Sequence, residues 1–124
     1  MQGIKIFDRD FFSILVYQTY LMNLKNVDQK NITIFEKLVE NNIPKIDFIV
    51  YFNIDIKTSI LRTEKRDNRK FSKEDICKLD YFITNLKKTT FNYAKNNNIP
   101  FVEIDSTDSL DNNLNIIKQI INEL

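Results

Sequence analysis

The sequence contains no histidine and no tryptophan, and only one cysteine and one glycine in 124 residues. Without histidine, imidazole acid–base catalysis and His-ligated metal centres are excluded. The lone cysteine, Cys77, cannot form an internal disulfide, and such sparing use fits a reducing compartment. Lying within a helical pattern, Cys77 reads as a small buried apolar residue. The single glycine, Gly3, excludes more. Loops that cradle phosphate need several glycines, because the backbone must turn tightly and approach the anion closely. These residues cannot build one.

A charge imbalance is missing too. Lys and Arg number 18 and Asp and Glu 17, a net charge of +1. No global field therefore favours nucleic acid or an anionic membrane, and neither is expected as a partner. No apolar run approaches the roughly 20 residues of a membrane span, and no stretch reads as a secretory leader. A cytoplasmic protein is the expectation. The length suits a single domain, residues 1–124, with enough chain to bury a core.

What is present is an alternation of short apolar runs and helical periodicities. Residues 1–7 read as a short buried strand. A helix over residues 10–24 follows, with Phe11, Leu15 and Met22 on one side. Its many aromatics predict cover over most of its surface. Asn31 is the expected cap of a second helix carrying Ile32, Phe35, Leu38 and Val39, which Pro44 ends. Residues 47–54 (DFIVYFNI) form the plainest strand, apolar enough to predict burial on both faces. Asp55 caps a helix to about Arg66. Ser72 and Asp75 form a capping box for a long helix with Ile76, Leu79, Ile83, Leu86, Tyr93 and Ala94 on one stripe. FVEID at residues 101–105 is a third strand. A last helix carries Leu110, Leu114, Ile117, Ile121 and Leu124. The order β-α-α-β-α-α-β-α predicts an α/β fold with a parallel sheet and right-handed crossovers.

Three groups of side chains can carry chemistry. Asp8 and Arg9 fall at the C-terminal edge of the first strand, where open α/β sheets bind ligands. Ser13, Tyr17 and Gln18 follow on the first helix, and Gln18 offers both donors and acceptors to a nucleobase edge. Arg62, Arg66 and Arg69 bring forked donors suited to phosphate, Arg62 and Arg66 sharing a helix face. Asp105, Ser106 and Thr107 end the last strand with hydroxyls able to bond a ligand. Each group alone also reads as an ordinary solvated pair, helix end or turn.

Taken in order, these segments resemble thymidylate kinases, the P-loop kinases that phosphorylate dTMP. DRDFFSILVYQ is similar to the family's DRY-x-x-S-x-x-x-YQ segment, with Asp10 where the family has an aromatic or His. DFIVYFNIDIKTSILRTEKR is similar to the strand, turn and arginine-bearing helix that lead into the family's LID. FVEIDSTDSL is similar to its last strand and adenine-side loop. The resemblance implies a three-layer P-loop-kinase-like parallel sheet, incomplete, with about three strands and helices on both faces. It implies that Asp8 sits near magnesium and the acceptor phosphate, and that Arg9 holds that phosphate. Ser13, Tyr17 and Gln18 would line the deoxyribose and thymine pocket. Arg62, Arg66 and less securely Arg69 would be LID arginines that stabilise the transferring phosphoryl. Ser106 and Thr107 would lie on the adenine side.

The family's Gly-rich loop, its lysine and its central strand have no counterpart in these residues. The expectation is therefore a thymidylate-kinase-like chain that is inactive alone and binds neither ATP nor magnesium tightly by itself. Open strand edges invite pairing, so a homodimer or a complementary P-loop-bearing chain is the expected partner, as in one half of a split kinase. A fragment of a deoxynucleoside kinase is the alternative parent.

Overall fold

A computed structural model describes residues 10–123. Among them five helices and two strands follow in the order α1 (Asp10–Leu24), α2 (Gln29–Asn41), β1 (Ile49–Asn53), α3 (Ile56–Asp67), α4 (Lys73–Asn96), β2 (Phe101–Asp105) and α5 (Leu110–Glu123). The expected strand at residues 1–7, together with Asp8, Arg9 and Leu124, lies outside the described residues.

The strands are parallel and in register, from Ile49 opposite Phe101 to Asn53 opposite Asp105. Parallel neighbours require a crossover, and here α3 and α4 make it. The pairing continues past the strand ends. The Ile49 N–H donates to the Pro100 carbonyl at 2.9 Å, and the Ser106 N–H to the Asn53 carbonyl at 3.0 Å.

Helix starts follow local chemistry. Asp55 accepts the Thr58 N–H at 2.7 Å and so caps α3. At α4, Ser72 Oγ accepts the Asp75 N–H and the Asp75 carboxylate accepts the Ser72 N–H, both at 3.1 Å. Both caps stand where the residues predict. The second helix starts a turn earlier than Asn31. Asp28 is its N-cap, and the Asp28 carbonyl accepts the N–H groups of Asn31 and Ile32 at 2.9 and 3.1 Å. Helix ends use asparagine. Asn26, Asn68 and Asn98 all adopt positive φ, between 51° and 55°. Glycine usually fills such positions, and Asn is the side chain that tolerates them next best.

The core draws on most elements. Leu15 and Val16 of α1, Ile32 of α2, Ile49 and Ile104 of the sheet, Leu86 and Ala94 of α4 and Ile120 of α5 are buried. Phe12 meets Tyr93 edge-on at 5.3 Å between ring centroids, tying α1 to α4. Four expectations of burial are corrected. Cys77 is exposed. Phe52 is 49% exposed, so β1 is not covered on both faces. Leu110 and Leu114 are exposed, while Asn113 and Ile120 form the buried side of α5. Helix α1 leaves Ile14, Tyr17 and Leu24 exposed rather than being covered on most of its surface.

This distribution separates two truncations. Ile104 is 2% exposed and Leu110 is 73% exposed. Ile104→Ala should lower unfolding free energy by about 2–5 kcal/mol, and Leu110→Ala should change it by less than about 0.5 kcal/mol. Urea titration followed by far-UV circular dichroism checks both.

Candidate functional site

Two of the concavities among the described residues differ in charge. The first sits at the C-terminal edge of β1 and β2. It encloses about 460 Å³ and is lined by Asn53, Ile54, Asp55, Glu103, Ile104, Asp105 and Thr107. Three of these carry carboxylates, and each is already engaged. Asp55 accepts both the N–H and the hydroxyl of Thr58. Asp105 accepts both the hydroxyl and the N–H of Thr107. Glu103 pairs with Lys87 at 3.3 Å and accepts from Asn53 Nδ2 at 3.5 Å.

These bonds set the protonation of the cleft. The Thr58 N–H, helped by its hydroxyl, holds the Asp55 carboxyl below the usual carboxylate range. The Thr107 hydroxyl, then its N–H, does the same for Asp105, against the opposing charge of Asp55. The cleft is therefore anionic at neutral pH. Among the described residues no cluster of three potential ligands could hold a metal ion. Asp55 serves as a helix cap and Asp105 as a turn acceptor. Arg62 stands at the rim and donates from Nη2 to the Ser106 carbonyl at 3.4 Å. Ser106 Oγ donates to the Asn53 carbonyl at 3.0 Å.

The second concavity is a groove between α1, the α3–α4 connection and α4. It encloses about 280 Å³, and its lining is mostly apolar and aromatic. Tyr17 and Tyr20 come from α1, Arg69 and Phe71 from the connection, and Asp75, Lys78, Leu79, Tyr81 and Phe82 from α4. Tyr20 and Tyr81 lie 5.1 Å apart between centroids. The Arg69 guanidinium lies over the Phe71 ring at 5.3 Å. Asp75 is committed to the capping box, which holds its carboxyl below the usual range through the Ser72 N–H and hydroxyl. Arg69 and Lys78 bring positive charge to the groove lining, and Lys78 is shared with Glu74 at 3.4 Å.

The expected site residues divide between these places. Arg62, Ser106 and Thr107 meet at the sheet edge. Tyr17 and Arg69, far apart in sequence, share the groove. Arg66 belongs to neither: its guanidinium pairs with Asp67 at 2.9 Å on the surface. Gln18 is exposed and lines neither concavity. Ser13 Oγ is shielded from solvent without a hydrogen-bond partner among the described residues. Asp8 and Arg9 lie outside those residues. The sequence reading did not single out Tyr20, Phe71, Lys78 and Tyr81. Their only local signal is helical spacing, three residues from Tyr17 to Tyr20 and three from Lys78 to Tyr81.

Comparison with known proteins yields no match, whether with family models, curated proteins or solved structures. Among the described residues no helix is long and apolar enough to cross a membrane.

The cleft carboxylates predict acid sensitivity of a stated sign. A carboxyl whose folded value lies below its unfolded value stabilises the fold above the unfolded value. That contribution is lost as pH falls through the folded value. The wild-type urea midpoint should therefore fall as pH drops below about 4. Asp55→Asn still accepts the Thr58 N–H but does not titrate, so its midpoint should depend less steeply on pH in that window. Parallel curves for the two proteins would contradict this assignment.

Proposed function

We propose that this chain is the acceptor side of a nucleotide kinase of thymidylate-kinase type, seating a nucleoside monophosphate such as dTMP in the α1–α4 groove. The observation that carries the reading is that Tyr17 and Arg69 line one aromatic groove. Base faces stack on such rings without needing a charged partner. A phosphate then finds Arg69, whose forked donors match its oxygens, with Lys78 beside it. The anionic sheet-edge cleft repels that phosphate, so charge favours the groove. At about 280 Å³ the groove lies just below the range for small-molecule sites, about 300–1,000 Å³, so a small ligand such as a mononucleotide is the class proposed.

The chain's own residues bind and orient the acceptor. ATP and magnesium supply the transferred phosphoryl and its charge neutralisation in the family it resembles. The single glycine leaves no donor loop in these residues. A second reading adds a complementary chain or a second copy that completes the sheet. The half-exposed Phe52 on β1 favours it, and a sizing column run alone and with a candidate donor chain tests it.

Calorimetry with dTMP and thymidine tests the main reading and separates a monophosphate acceptor from a nucleoside acceptor. The wild type should bind dTMP more tightly than thymidine. Arg69→Ala should remove most of that preference. Tyr17→Ala should weaken both ligands by about 5- to 100-fold, the range that one base–aromatic stack is worth. Absence of binding by either ligand overturns the reading, and tighter binding of thymidine moves it to a deoxynucleoside kinase.

A further inference from the structure

The connection between α3 and α4 brings Arg69 and Phe71 to the groove. An exposed connection in water ordinarily samples many conformations, and ordering it is costly. Here one residue gathers it. The Glu64 carboxylate accepts the Phe71 N–H at 2.7 Å through Oε2, in a half-buried setting. The Glu64 backbone carbonyl accepts the Asn68 N–H and, at 3.2 Å, the Arg69 N–H. Backbone donors from three residues of the connection thus converge on Glu64. On the far side, the Ser72–Asp75 box fixes the first turn of α4. Between these anchors the Arg69 guanidinium rests on the Phe71 ring.

We infer that Glu64 is a positioning residue for the groove: its carboxylate pins Phe71, and through Phe71 holds the Arg69 guanidinium in place to meet an anionic, planar ligand. Glu64 does not line the groove, so it acts only through the wall it orders. A hydrogen bond to a carboxylate is about twice as strong as a neutral one, which suits a single fastening. The ligand part of this inference rests on the nucleotide reading of the groove; the fastening itself does not.

Three variants separate the possibilities. Glu64→Ala removes the acceptor. Glu64→Asp keeps the charge on a side chain one methylene shorter, which cannot reach the Phe71 N–H without moving the backbone. Glu64→Gln keeps both reach and a carbonyl acceptor. Amide exchange at Phe71 and the Arg69 Nε–H chemical shift, both from 15N NMR, read the wall without ligand. Phe71 protection should fall about tenfold or more in the Ala and Asp variants, with the Arg69 signal moving toward that of free arginine. Calorimetry with dTMP should show binding about tenfold weaker in the same two variants. Glu64→Gln should restore most of both effects. If Glu64→Ala does not fold, Glu64→Asp carries the test. Unchanged exchange and shift overturn the fastening. Equal dTMP affinity in wild type and Glu64→Asp overturns the positioning role. Failure of the wild type to bind dTMP, with the exchange effects intact, overturns the nucleotide reading instead.

Discussion

The in-register parallel pairing of β1 with β2 is the constraint that arranges everything else. Parallel strands cannot be joined by a hairpin, so α3 and α4 must carry the chain back to the start of β2. That crossover lays α4 along α1, where Phe12 meets Tyr93 and Tyr20 meets Tyr81. It also leaves the α3–α4 connection at one end of that helix pair, where it closes the groove. The same pairing puts the ends of β1 and β2 side by side. Asp55, following β1, and Asp105, ending β2, then line one cleft. Their mutual repulsion is offset locally, because each carboxylate is satisfied by a threonine two or three residues on. Both concavities are thus consequences of one strand pairing and differ in the side chains that line them.

The scarcity of glycine has a structural counterpart. A chain that must leave three helices through left-handed residues uses asparagine at all three, Asn26, Asn68 and Asn98. Asparagine pays a steric penalty there that glycine avoids, yet its flexibility in the unfolded chain is lower, so less entropy is lost on folding. At Asn68 this matters for the groove, since the left-handed turn is what lets the next residues fold back to the Glu64 carbonyl and carboxylate. A turn built this way cannot cradle a phosphate through a run of backbone N–H groups, because its donors are already spent on Glu64. In the proposed reading, anion recognition would then fall to side chains, Arg69 and Lys78 among them.

The features legible in the sequence were those fixed by near neighbours. Asp55, and Ser72 with Asp75, could be read as caps because the bonds span three residues. FVEID could be read as a strand because proline precedes it and its composition is apolar. Asn31 failed as a cap because the helix already starts at Gln29, with Asp28 at the N-cap position through its backbone and not through a side-chain bond. Exposure was poorly legible for a different reason. Periodicity says which residues share a face, and only tertiary packing says whether that face is covered. Leu110 and Leu114 recur at helical spacing, yet α5 turns Asn113 and Ile120 inward. Cys77 sits on a helix whose buried residues, Leu86, Thr90 and Ala94, all lie nearer its C-terminus. The groove was half legible. Tyr17 and Arg69 stood out in two separate groups of chemistry-bearing side chains, whereas their sharing one groove, and the parts of Phe71, Lys78 and Tyr81 in it, show only once α4 is laid against α1.

Charge decides between the two concavities as a seat for an anion. Acid-cleft carboxylates held below their usual range stay ionised at neutral pH, and Arg62 at the rim is turned to the Ser106 carbonyl rather than into the cleft. A phosphate placed there would face the like charges of Asp55 and Asp105. In the groove the one carboxylate, Asp75, is neutralised in effect by the helix N-terminus and by Ser72. Arg69 lies on an aromatic ring, and its charge is felt by Asp67 and Asp75. The groove also offers ring faces that the cleft lacks. A ligand that is both planar and anionic would gain from the groove twice and be opposed by the cleft, and the nucleotide proposal rests on this asymmetry more than on the order of motifs along the chain.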